Sequence, residues 1–164
     1  MRGFIKMGVM IAIVFLIFAG CSKDVTGDEK TAEQYVEDQG YKITSHKGET
    51  DKYLLDKSKL YGSTETIPYR QSWRVQTVEP DMYFGEEITV YGFTVSNHPL
   101  EKSNKAKTNV YIMLAEGKVI GGYSFPNIEG LNGSVYSLDG KTLEEVTGRT
   151  FKDWSDGWKK KYSS

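Results

Sequence analysis

The sequence predicts an α+β fold, an antiparallel sheet of four or five strands with an N-terminal and a C-terminal helix packed on it. Three observations carry this reading. Residues 108–115 and 118–125 flank Glu116-Gly117, a tight hairpin signal in which glycine supplies the positive φ. Residues 87–96 are rich in β-branched and aromatic side chains, as a strand is. Helical spacing with capping residues occurs over residues 32–39 and again over 151–161.

Taken in order, Thr31-Ala32-Glu33-Gln34 has the spacing of a capping box, Ala32, Tyr35 and Val36 recur at helical intervals, and Gly40 stops the segment. Residues 41–45 then alternate with period two, as a half-buried strand does. Residues 52–61 hold Tyr53, Leu54, Leu55 and Leu60 at a spacing that fits a short helix or an irregular strand, and their type stays open. Pro68 suits the first turn of a short helix through Tyr69 and Trp73, because proline lacks only an amide that is orphaned there. Pro80 and Gly85 bracket a single helical turn. In the strand over 87–96, Ile88 and Val90 fall on one face and Tyr91, Phe93 and Val95 on the other, so both faces are expected to be covered.

Residues 97–107 are polar, contain Pro99, and read as a loop. A further strand is expected over 135–138, followed by a turn at Asp139-Gly140. Thr142-Leu143-Glu144-Glu145 repeats the capping-box spacing, and Gly148 closes that turn of helix. Thr150 caps the last helix, whose C-terminal end carries Lys159, Lys160 and Lys161, where cations suit the helix dipole.

The first twenty residues point elsewhere. Arg2 and Lys6 precede a nearly unbroken apolar run from Met7 to Phe18, and Ala19 and Gly20 lead into Cys21, the single cysteine of the chain. Phe18-Ala19-Gly20-Cys21 resembles the cleavage box of bacterial lipoprotein signal peptides, with phenylalanine where leucine is commonest. The resemblance implies cleavage before Cys21 and lipid on its thiol. A spanning helix needs about 20 consecutive apolar residues, more than the run between Lys6 and Cys21 supplies. The expected organisation is a signal peptide over 1–20, a lipidated cysteine and tether over 21–30, and one globular domain over 31–164. Stable anchoring takes more than one acyl chain, which a diacylated or triacylated Cys21 provides.

Of the 164 residues, the 144 that follow residue 20 suffice for one domain. Losing Arg2 and Lys6 takes the formal charge from −1 to −3, and the remaining bases are interleaved with acids. Nucleic acid is not an expected partner, since phosphate binding gathers Lys and Arg on one face. With Cys21 committed to lipid, no disulfide is expected.

Chemistry-bearing patterns are sparse. His46 and His98 are far apart and read as surface or loop histidines, so neither a metal nor a cofactor is expected. Gly122-Tyr123-Ser124-Phe125-Pro126 begins like a nucleophile elbow but ends on proline, and reads as a strand end. Gly140-Lys141-Thr142 looks like the tail of a phosphate loop, yet Val135 stands where that loop needs glycine. Glu86-Glu87 and Glu144-Glu145 are sequence neighbours that diverge on a strand or helix, and so read as solvated charge.

Aromatic residues are the remaining candidates. Phe151, Trp154, Trp158 and Tyr162 form a stripe along the terminal helix that either packs on the sheet or presents rings to a glycan or peptide. Trp73, with Tyr61, Tyr69 and Tyr83, offers a second candidate patch. Trp73, Trp154 and Trp158 are the expected binding residues. Gly157 beside Trp158 costs about 1 kcal/mol of helix propensity and marks close packing or a weak helix.

Residues 119–126 and 136–148 resemble stretches of small, uncharacterised lipoproteins of Gram-positive bacteria, a similarity that spans most of residues 31–162. It implies location alone, on the outer face of the cytoplasmic membrane, with Cys21 as the lipidated residue. The expected function is a non-catalytic, membrane-anchored module that binds an envelope protein or peptide. A cell-wall glycan-binding module and a carboxylate-dependent hydrolase are the alternatives. The first of these needs exposed Trp73 or Trp158, the second carboxylates converging in a pocket.

Overall fold

The computed structural model describes residues 27–130 and 134–163. The expected signal segment, Cys21 and the start of the tether lie outside the described residues. Helix α1 (Gly27–Asp38) opens the described chain, with Asp28 and Glu29 in its first turn, where anions suit the dipole. It begins before the expected capping box, so Thr31 is no cap. Its hydroxyl donates to the Gly27 carbonyl one turn back, at 3.0 Å. Residues 27–30, expected as tether, therefore belong to the helix. Gly40, at φ 82°, ends the helical run as expected.

Strand β1 (Lys42–Leu54) runs well past the expected stop at Ser45. Nearly all of it is exposed, because it is the edge of a five-stranded sheet ordered β1 to β5 in sequence. An edge strand solvated on both faces loses the apolar alternation that would announce it. Three register irregularities break its ladder with β2 (Glu87–Ser96), and Lys42, Lys47 and Lys52 dot its length. Bulges and lysines are common defences of a free edge against pairing with another chain. The ambiguous segment after residue 52 resolves into the end of β1 and a 3₁₀ turn over Lys57–Lys59.

Helix α2 (Ile67–Trp73) carries Pro68 in its first turn, and a 3₁₀ turn over Pro80–Tyr83 precedes β2, both as expected. The loop after β2 contains one short helix, α3 (Leu100–Asn104). Strands β3 (Thr108–Ala115) and β4 (Lys118–Pro126) form the hairpin, with Glu116 at φ 48° and Gly117 at φ 71° in its turn. Two positive φ values in succession suit the twist of a two-residue hairpin loop. Strand β5 is only Tyr136–Ser137. Helix α4 (Leu143–Thr147) has the complete capping box, and α5 (Phe151–Tyr162) has Thr150 as N-cap.

Both faces of the sheet are covered, as the pattern of β2 requires. Tyr91, Phe93 and Val95 join Val110, Ile112 and Leu114 under Ala32 and Val36 of α1. Ile88 and Val90 join Met113 and Ala115 on the other face, under Trp73 of α2 and Trp154, Trp158 and Tyr162 of α5. The terminal helices thus sandwich the sheet. On this second face the end of α2 at Trp73 and the segment that follows it to Pro80 face α5 across a cleft.

Candidate functional site

The aromatic stripe of α5 mostly faces inward. Trp154, Trp158 and Tyr162 are 7%, 8% and 4% exposed, and only Phe151, at 54%, stands in solvent. Trp158 sits between its neighbours, with ring centroids 4.9 Å from Trp154 and 4.6 Å from Tyr162. Its indole N–H donates to the Leu60 carbonyl at 2.7 Å. Trp73 is 2% exposed and donates to the Tyr53 hydroxyl at 3.0 Å. The expected patch around Trp73 is therefore the rim of the core, with Tyr69 against Tyr53 and Tyr83 against Trp73. Exposed rings on which a sugar could stack are not what these tryptophans supply.

The structure nevertheless brings the three expected binding residues together. Trp73, Trp154 and Trp158 line one cleft of about 420 Å³, within the usual size range of small-ligand pockets. Arg74, Arg149 and Lys161 also line it, as does Gly157. Gly157 meets the expected choice between packing and weakness with a third answer. A Cβ there would touch only the Arg149 guanidinium, at 3.9 Å, so the glycine leaves space in the cleft rather than filling a contact.

The cations of the cleft differ in how they are used. Lys161 is held by Asp81 at 2.8 Å and Glu79 at 3.0 Å, and Tyr162 donates to the same Asp81 at 2.7 Å. Burial opposes ionisation of Asp81, but the bonds from Lys161 and Tyr162 prevail and hold its carboxyl below the usual range. Arg74 and Arg149, by contrast, make no ion pair among the described residues. Arg74 Nε is sealed from solvent with no hydrogen-bond partner. Burial lowers the pKa of this guanidinium, Glu144 acting through space raises it, and Arg70 lowers it further. A second recess, of about 410 Å³, lies against Arg74 as well and is lined by Glu144 and the exposed Phe151.

Other expected features take structural roles. His98, expected at an exposed strand end, is 2% exposed. Its Nε2 lies 2.8 Å from the Leu138 carbonyl and Nδ1 accepts from the Leu100 amide at 3.1 Å, which assigns the neutral Nε2–H tautomer. His46 is exposed and lies between Glu29 and Glu33, at 4.0 and 3.9 Å. Ser124 of the elbow-like stretch is buried and donates to the Ser137 carbonyl, pinning β5. Thr142 of the phosphate-loop look-alike is the N-cap of α4. No group of three metal-ligating side chains occurs among the described residues. The carboxyls with a resolved shift, Asp56, Asp81, Asp139 and Asp156, all shift down, the reverse of a proton donor.

The chain matches no protein family, no curated protein and no solved structure. Sequence reading found the tryptophans of the cleft but missed Arg74 and Arg149. The signal for Arg74 was its place beside Trp73 in a helix with no acid among residues 67–78 to pair with it.

Proposed function

We propose that this chain is a non-catalytic lipoprotein, held on the outer face of the cytoplasmic membrane by lipid on Cys21, that binds a protein or peptide in the cleft between the end of α2 and α5. The observation that carries the binding half is the cleft itself, a tryptophan floor flanked by two arginines that form no ion pair among the described residues. Apolar floor and unpaired charge together suit a peptide, which offers both kinds of group. The cleavage-box spacing before Cys21 supports the anchoring half. No helix among the described residues is long and apolar enough to cross a membrane.

Crosslinking in intact cells, followed by capture of the full-length protein, tests both halves. The expected result is a discrete partner whose crosslinks map to the cleft residues, with a mass increase on Cys21 and loss of membrane retention in Cys21→Ala. Retention of Cys21→Ala in washed membranes refutes the anchor. Crosslinks that consistently avoid the cleft refute the site.

A further inference from the structure

We infer that the cleft receives the carboxylate of an acidic peptide, with Arg74 and Arg149 as its cationic partners and Trp154 as a neutral donor. The inference rests on the peptide-binding reading above and specifies the chemistry of its ligand.

Three unspent donors carry it. The Arg74 guanidinium is partly buried, yet it makes neither a hydrogen bond nor an ion pair among the described residues, and its Nε is sealed. Nε is closed to a ligand, but the two Nη groups are not among the sealed atoms and make no hydrogen bond to the described residues, so they are the part of this arginine that a ligand can meet. Arg149 is exposed and equally without a counter-ion among the described residues, and its guanidinium reaches the cleft wall at Gly157. Trp154 completes the set. Trp73 and Trp158 spend their indole N–H groups on Tyr53 and Leu60, whereas that of Trp154 has no acceptor among the described residues. It is also absent from the sealed polar atoms, which among the described residues are Arg74 Nε and Thr108 Oγ1, so it stays open to a ligand.

Acids among the described residues do not satisfy these donors. Glu79, on the cleft wall, is engaged by Lys161. Glu144 faces Arg74 from the second recess but forms no ion pair with it. A planar carboxylate matches the fork of an arginine and can accept from an indole N–H as well. In a chain of net charge −1, an uncompensated pair of arginines beside an apolar floor selects anionic over neutral peptides.

The test uses the full-length chain in detergent micelles and follows the three indole N–H resonances by NMR, assigned by single Trp→Phe variants. The probes are acetyl-Gly-Glu-Gly-Glu-Gly-amide, its glutamine counterpart and inorganic phosphate. The glutamate peptide is expected to move the Trp154 resonance saturably, with affinity falling about tenfold in Arg74→Gln and in Arg149→Gln, the low end of what a hydrogen bond to a charged group contributes. Arg70→Gln, outside the cleft lining, is expected to leave it unchanged. Arg149→Gln alters an exposed side chain and keeps the test valid if Arg74→Gln fails to fold. Equal binding of the glutamate and glutamine peptides overturns the carboxylate inference while leaving the peptide site intact. Phosphate binding as tightly as the glutamate peptide reduces the cleft to an unselective anion site and also overturns it. No response to either peptide overturns the inference together with the site.

Discussion

The Gln76 side-chain amide spans both polar groups of the Gly122 peptide, donating to its carbonyl and accepting from its amide, each at 3.0 Å. It thereby stands in for a neighbouring strand on the free edge of β4, beyond the reach of the two-residue β5. A further bond, to the Ser72 carbonyl at 2.6 Å, ties the same amide back to α2. One side chain thus sets the sheet edge against the helix whose end lies on one wall of the cleft.

This docking gives Gly121 and Gly122 different sensitivities. A Cβ at Gly122 would lie 2.7 Å from the Tyr111 carbonyl oxygen, which is backbone and cannot yield. A Cβ at Gly121 would strike the Gln76 amide, which can swing away at the cost of its hydrogen bonds. Gly122→Ala is expected to cost about 3 kcal/mol and Gly121→Ala about 1–2 kcal/mol in urea unfolding. The reverse order would show that Gln76, rather than the β3 backbone, is the rigid partner.

The two buried tryptophans of α5 are expected to respond unequally to the same substitution. Trp158→Phe removes the donor to the Leu60 carbonyl, 98 residues away in sequence, and should cost about 2 kcal/mol or more. Trp154→Phe breaks no hydrogen bond among the described residues and should cost roughly 1 kcal/mol less than its neighbour. Thermal melts of the two variants decide the matter, and equal losses would refute the role of the Leu60 bond.

Gly157 is the place where function and stability are expected to diverge. Its backbone is helical, and a Cβ would make only ordinary contact with Arg149. Gly157→Ala should raise stability by about 1 kcal/mol through helix propensity. The added methyl narrows the cleft, so peptide binding should weaken in the same variant. A destabilised Gly157→Ala would mean that the helix needs the glycine for its path.

The pH dependence of folding is expected to contain a His98 component. Burial holds the His98 imidazole below its ordinary value of 6.5, against the opposing pull of the Leu138 carbonyl, Glu101 and Asp139. Below pH 6.5 the unfolded chain takes up a proton that the folded chain refuses, so the contribution is complete above pH 6.5 and is lost as pH falls through the folded value. Protonating Nδ1 would also set it against the Leu100 amide, donor against donor. Urea midpoints against pH should flatten in this window for His98→Gln relative to the native chain. An unchanged slope would rule out His98 as the source.

The tie between α5 and the Pro80–Tyr83 turn should be weak at its surface and stronger inside. Lys161 is 41% exposed at the side chain, so Lys161→Met is expected to cost no more than about 1 kcal/mol, less in high salt. Asp81→Asn weakens the acceptor of the buried Tyr162 and should cost about 1–2 kcal/mol with little salt dependence. Because the folded state depresses the Asp81 carboxyl, its contribution is complete above pH 3.8 and falls away as pH drops through the folded value. Denaturant melts at two salt concentrations separate these two effects.

Much of the architecture was legible because local chemistry agreed with the fold. Glu116-Gly117 announced the hairpin, Thr142 and Glu145 the α4 cap, and the double-faced apolar pattern of β2 the cover on both its faces. Reading failed where tertiary context overrode a local cue. Thr31 has capping-box spacing but lies inside α1, since the preceding turn is itself helical. His98 stands beside a proline in a polar loop, yet Leu138 and Leu100 bury and satisfy it.

By itself the sequence determined the α+β class, the β3–β4 hairpin, the two covered faces of β2, and an apolar run that stops short of Cys21. These depend on period, turn chemistry and composition, which are properties of neighbours in the chain. Only the tertiary structure decided that the aromatic stripe of α5 is core, that its start at Phe151 stays exposed, and that Trp73, Arg74, Arg149 and Gly157 share a cleft. The physical reason is that burial and charge compensation depend on groups far apart in sequence. The Leu60 carbonyl and Lys161 decide which indole and which acid near the cleft are already engaged, and so leave Trp154, Arg74 and Arg149 unspent.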